Sequence, residues 1–181
     1  RCAPGSGYPR GPGGFSGGYH IPEGMSTLEG ALVEPAAVGM HAAILGGAMV
    51  GKSIVILGGG TIGLMVLQAC KSLGAEDITV VDVIQKRLDL ALKLGAKRVI
   101  NGKEQDTVAV LRSPEMYGDH GIDLVFEAAG ATFTAQQAKM LKGDVTRKEI
   151  PEKYIYIDDG CFRADGRMRE VAAKNEKVAV P

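Results

Sequence analysis

Residues 55–66 read "VILGGGTIGLMV", an apolar run that breaks at three consecutive glycines and resumes as an apolar, helix-forming stretch. The spacing Gly58-x-Gly60-x-x-Gly63 decides little alone, because three glycines within six residues arise easily in a chain that carries 26 of them. Its surroundings carry the argument. "SIVIL" before it is a β-branched run of the kind found in strands covered on both faces of a parallel sheet. After it, Ile62, Met65, Val66, Ala69 and Leu73 fall on one face of a helix predicted over residues 61–73. "DITVVD" then supplies a second strand ending in Asp82, nineteen residues beyond Gly63.

A strand, a glycine-rich turn, a helix and a second strand ending in an acid make the pattern of a dinucleotide-binding βαβ unit. Each residue type has a mechanical reason. Gly58 permits a tight strand-to-helix turn, Gly60 lets the backbone approach a pyrophosphate, and Gly63 lets the helix pack close to the strand. The helix opens at Thr61 and presents unpaired N–H groups and a partial positive charge to phosphates. Asp82 can accept from the ribose hydroxyls of an adenosine half. The alternatives are a purely structural strand–turn–helix with a solvated aspartate, a methyltransferase and an FAD domain. Methyltransferases usually place an acid just ahead of the first glycine, where this chain has Ile56 and Leu57; FAD domains usually carry Glu at the Asp82 position. NAD fits best.

The pattern continues downstream with a helix "QKRLDLALKLG", a strand "KRVIN", a helix over residues 107–111, a strand "IDLVFEAAG" and a helix over residues 133–141. Strands alternating with helices predict an α/β fold, a doubly wound parallel sheet of the Rossmann kind. Its completeness stays open, because both ends are irregular. Residues 1–19 are rich in Gly and Pro and read as a flexible lead-in, residues 20–141 as the NAD-binding Rossmann domain, and residues 142–181 as an unassigned tail. In the tail "KYIYID" suggests one more strand and "GRMREVAAKN" a short helix. Upstream, "STLE" offers a capping box between Ser26 and Glu29. The helix it starts has an apolar stripe of Leu28, Leu32, Val38 and Ile44, bent or interrupted at Pro35 and Gly39.

Lys plus Arg and Asp plus Glu both number 21, so bulk charge points to neither nucleic acid nor an anionic membrane. No apolar run approaches the roughly 18 to 20 residues that a spanning helix needs, and no secretory h-region opens the chain. A cytoplasmic protein is expected. Cys2, Cys70 and Cys161 are odd in number and widely spaced, which suits reduced thiols, with Cys70 buried in a helix.

The ordered runs "HIPEGMSTLEGALVEPAAVGMHA", "GKSIVILGGGTIGLMVLQACKSLGA", "VVDVIQKRLDLALKLGA" and "DLVFEAAG" resemble the zinc-dependent medium-chain dehydrogenase/reductase family, in particular its sorbitol (L-iditol, xylitol) dehydrogenase branch. The likeness covers roughly residues 20–141, the cofactor-binding portion. It implies that Ile62 touches the cofactor, that Asp82 is the strand-two acid, and that Arg87 lies against the adenosine ribose. It further implies that Glu34, in "VEPAAVG", stands beside a catalytic zinc. The implied activity is oxidation of a polyol or secondary alcohol to a ketone, with zinc stabilising the alkoxide while hydride passes to NAD. The partners implied are that small-molecule alcohol, with no nucleic acid and no membrane; a homo-oligomer is allowed.

Departures from the family pattern are equally specific. The Cys, the His and its adjacent Glu that hold zinc in the family have no match: Cys2 lacks the glycine–aspartate context, and neither His20 nor His41 is followed by glutamate. No catalytic residue is assigned. "KGDVTRKEIPEKYIYIDDG" replaces the glycine-rich apolar strand that the family has after the last helix. Three readings therefore stand: a zinc- and NAD-dependent dehydrogenase seen through its cofactor portion, an NAD-binding module without chemistry, and half of an enzyme that needs a partner chain.

Overall fold

The structure, a computed structural model, describes residues 20–143, 155–158 and 161–164. The lead-in proposed for residues 1–19, Cys2 and the helix expected over "GRMREVAAKN" lie outside the described residues. The chain divides into two compact units, residues 1–33 and residues 34–181.

In the first unit the capping box forms. Ser26 donates its backbone N–H to Glu29 Oε2 at 2.8 Å and its hydroxyl to the same oxygen at 2.7 Å, while the Glu29 N–H donates to Ser26 Oγ at 3.2 Å. These bonds hold the Glu29 carboxyl below the usual carboxylate range. They start α1 (Thr27–Gly46), which keeps Pro35 inside its span, so of the two outcomes expected at Pro35 and Gly39, a bend or an interruption, the interruption does not occur.

The expected stripe on α1 is also corrected. Leu28, Leu32 and Ile44 are exposed, and the buried set is Val38, Gly39, Ala42, Ala43 and Gly46. Small residues face inward because the following helix lies very close: a β-carbon on Gly39 would sit 2.6 Å from the carbonyl carbon of Met65. Folded as one element, α1 is long and apolar enough to cross a membrane by length and composition. The expectation that no apolar run approaches spanning length is corrected to that extent; Glu29, Glu34 and Pro35 lie within this span.

In the second unit β1 (Ser53–Leu57), β2 (Asp77–Asp82), β3 (Arg98–Asn101), β4 (Leu124–Glu127), β5 (Ile155–Asp158) and β6 (Cys161–Ala164) form one sheet in the order β3-β2-β1-β4-β5-β6. The β1–β2, β1–β4, β2–β3 and β4–β5 pairs are parallel; β6 turns back antiparallel to β5, a strand the sequence pattern did not suggest. The helices are α2 (Thr61–Ser72), α3 (Gln85–Lys93), α4 (Thr107–Arg112), α5 (Pro114–Tyr117) and α6 (Thr132–Gly143). This is a Rossmann-type doubly wound sheet.

Period-two alternation sorts the strand side chains into two cores. Ile54, Ile56, Ile78, Val80, Leu124 and Phe126 pack with α1 and α2 on one face. Val55, Leu57, Val81 and Ile100 pack with Leu111, Tyr117, Ala138 and Leu141 on the other. All four of Ile54, Val55, Ile56 and Leu57 have no exposed surface, each worth about 1.5–3 kcal/mol of apolar burial. The continuous run "SIVIL" is thus a strand with two apolar faces. Tyr117 closes the second core: its hydroxyl meets Thr79 Oγ1 at 2.6 Å, and the Arg98 guanidinium lies 5.1 Å above its ring.

Cys70 is fully buried on α2, and burial pushes its thiol up to about 12. In a Cys2→Ser, Cys161→Ser background, Cys70 is expected not to react with a disulfide reagent at pH 8 in the native state and to react fully in guanidinium. Rapid native-state labelling would contradict the packing described for α2.

Candidate cofactor site

The glycine turn is built by contacts at three of its positions. Gly58 has φ +109°, a backbone conformation that side chains disfavour, and a β-carbon there would also lie 2.8 Å from the Ala128 carbonyl carbon and the Ala129 nitrogen. A β-carbon on Gly63 would overlap the Gly58 carbonyl oxygen, so α2 packs against the turn itself as well as against Ile56. Gly60 is different. It is the N-cap of α2, no side chain caps that helix, and nothing lies within 4 Å of the place its β-carbon would occupy. Thr61 is exposed at the helix start, and Ile62 is half-buried against the first core.

The fourth position, Gly59, was not singled out from the sequence, yet it joins the turn to β2. Its N–H donates to Asp82 Oδ2 at 2.7 Å, and a β-carbon there would come 3.3 Å from that oxygen. Asp82 is not a solvated acid: its side chain is 5% exposed. Oδ1 accepts from the Val83 and Ile84 N–H groups at 2.7 and 2.8 Å, and Arg87 Nη1 approaches Oδ2 at 3.4 Å. Arg87 itself is about half exposed, in the first turn of α3. The uncapped start of α2, the open position at Gly60 and the acid at the end of β2 therefore lie around one turn, beside the exposed Val83 and Ile84.

A groove of about 590 Å³ runs between α4 and α6, with Gly102, Thr107, Phe133, Gln137 and Met140 in its lining. Gly102 ties this groove to β2, donating its N–H to the Asp82 carbonyl at 3.0 Å. Thr107 Oγ1 is buried with no hydrogen-bond partner among the described residues.

Glu34 and His41 are exposed on α1, and His20, ahead of that helix, is exposed as well. Among the described residues no three His, Cys, Asp or Glu side chains gather to hold a metal ion, so the residues described do not compose a zinc site.

The zinc-binding dehydrogenase family model matches residues 61–144. An uncharacterized zinc-type alcohol dehydrogenase-like protein, YdjJ of Escherichia coli K12, is 58% identical over 123 residues, which are 68% of this chain and 35% of YdjJ. This chain belongs to the zinc-dependent medium-chain dehydrogenase family. What it carries of that family is the cofactor-binding portion. Sorbitol dehydrogenase of Bacillus subtilis 168 is 40% identical over 160 residues, covering 83% of this chain and 45% of that enzyme. An NADP-bound structure from Sinorhizobium meliloti 1021, assigned to the zinc-binding dehydrogenases, superposes with a TM-score of 0.62 at 30% identity, covering 67% of this chain and 36% of that one. The matched part of this chain thus spans less than half the length of these relatives.

Proposed function

We propose that residues 20–141 are an NAD-binding Rossmann domain, and that the protein serves the oxidation of a polyol or secondary alcohol to a ketone. The observation that carries the cofactor reading is Gly60: the one glycine of the turn with open space at its β-carbon position stands at the uncapped N-terminus of α2. Phosphates fit such a place, because the helix start offers unpaired N–H groups and partial positive charge. Gly58 and Gly63 shape the turn, Thr61 and Ile62 open the helix, and Asp82 receives the adenosine ribose. Of the four donors now on Asp82, the Arg87 contact at 3.4 Å is the longest. It is the one that a ribose hydroxyl would replace, which leaves the Arg87 side chain to cover the ribose. When bound, NAD supplies a hydride acceptor; the chain's own residues bind and orient it.

The polyol or alcohol is proposed from relatives such as the Bacillus subtilis sorbitol dehydrogenase. A second reading is favoured by the lack of a metal-ligand cluster among the described residues: the chain binds NAD and reaches chemistry only with a partner that supplies the zinc ligands.

Fluorescence titration with NADH and NADPH tests the cofactor reading. NADH is expected to bind at least tenfold more tightly, since a 2′-phosphate would meet the Asp82 carboxylate. Asp82→Ser is expected to bring the two dissociation constants close together. The substitution also removes acceptors for the Gly59, Val83 and Ile84 N–H groups, at about 1 kcal/mol each, so absolute affinities fall. The ratio is the informative quantity, and an unchanged ratio would take Asp82 out of the ribose site.

A further inference from the structure

Glu127 is the last residue of β4 and has no exposed surface. Its Oε1 accepts three hydrogen bonds, from the Ala129 N–H at 3.0 Å, the Gly130 N–H at 3.1 Å and Thr134 Oγ1 at 2.7 Å. Its Oε2 is buried and has no hydrogen-bond partner among the described residues. The ion pairs among the described residues are Lys52–Asp123, Arg87–Asp82, Lys97–Asp77 and Arg98–Asp77, and none includes Glu127. The loop-anchoring bonds use one oxygen, so they leave the other oxygen unexplained.

The position of Glu127 in the sheet supplies a use for it. Leu57 at the end of β1 pairs with Glu127 at the end of β4. From β1 the sheet runs through β2 to β3, and from β4 through β5 to β6, so these two residues end the strands flanking the topological switch point. A dinucleotide lies across that crevice. With the adenosine half at Asp82 on β2, the other half belongs on the β4 side. That half is a cationic pyridinium ring when oxidised and a neutral ring when reduced. A charge in a poorly solvated interior is weakly screened, so its influence extends beyond contact distance.

We propose that Glu127 biases the site toward the oxidised cofactor through the electric field of its buried carboxylate, without touching the ligand. This rests on the cofactor reading given above. The pyrophosphate is common to both redox forms, so its repulsion from Glu127 cancels in their ratio. What remains is the attraction to the ring charge. The contribution of the Ala128–Gly130 loop to shape is likewise common to both forms.

The test uses calorimetric titration of the full chain with NAD⁺, NADH and ADP-ribose. In Glu127→Gln the ratio of the NAD⁺ to the NADH dissociation constant is expected to rise about fivefold to tenfold, on the order of 1.0–1.4 kcal/mol. ADP-ribose affinity should follow that of NADH. Thr134→Val removes one donor from Oε1 and leaves the charge in place, so it should keep the wild-type ratio even where affinities fall. Glu127→Met, similar in volume and without a buried polar atom, is the second neutral variant should the Gln protein fail to fold. Equal changes in NAD⁺ and NADH affinity for the neutral variants would overturn the charge role and leave Glu127 as a loop anchor. Failure of the wild-type chain to bind all three ligands would instead overturn the cofactor reading on which it rests.

Discussion

Gly60→Val is expected to abolish measurable NADH binding while leaving the circular dichroism spectrum native and the melting temperature within a few degrees. Gly60 has φ −72° and ψ −174°, values that valine adopts readily, and nothing stands within 4 Å of the new β-carbon. The fold loses only the small advantage of glycine over valine at an N-cap, about 1 kcal/mol or less. The isopropyl group would occupy the space at the uncapped helix start where a phosphate must approach. Gly63→Ala is expected to do the reverse, although it adds one methyl group. That methyl overlaps the Gly58 carbonyl oxygen, so α2 must move away from the turn and from Ile56. Overpacking of a rigid backbone contact costs about 1–3 kcal/mol or more, and the melting temperature should drop accordingly. Calorimetric titration with thermal melts separates the two glycines. Native-like NADH affinity in Gly60→Val would reduce the turn to a structural strand–helix connection.

The division between these glycines marks where sequence reasoning reached and where it stopped. The alternation of β-branched runs with helical periods depends on local chemistry, and it delivered four parallel strands and the helices between them. The reason for each glycine depends on which backbone lies opposite. Gly58 meets the loop after β4, some seventy residues away, and only the folded chain brings Ala128 there. On α1 the periodic search followed large apolar side chains, whereas the close crossing at Met65 admits only small ones, so Gly39, Ala42 and Ala43 form the true contact. The four-residue α5 is too short for a helical period to register, and β6, "CFRA", as short as β3 and β4, lacks the β-branched residues that mark those strands. Glu127 stood in view inside "LVFE", and a lone acid in an apolar strand was the available signal. Its half-satisfied carboxylate could be recognised only from the donors that the α6 start and its preceding loop supply.

The chain as it stands is expected to bind NADH yet to retain no stoichiometric zinc after dialysis and to produce no NADH from sorbitol, xylitol or a simple secondary alcohol. A catalytic zinc normally needs three protein ligands. Among the described residues no such group of three exists. Glu34 is one exposed carboxylate on α1, and a carboxylate facing water does not by itself hold a divalent ion at micromolar concentrations. The match covers 35% of YdjJ and 45% of the Bacillus subtilis sorbitol dehydrogenase, leaving room for ligands outside the matched portion. Metal analysis after dialysis, followed by absorbance assays at 340 nm with and without added zinc, tests both halves of the expectation. Adding a partner chain that carries a Cys, a His and an adjacent Glu distinguishes a binding module from half an enzyme: turnover on mixing would establish the latter. One zinc per chain with polyol-dependent turnover in the chain alone, lost in Glu34→Ala, would mean instead that Glu34 and residues outside the described part compose the metal site and that this chain is itself the enzyme.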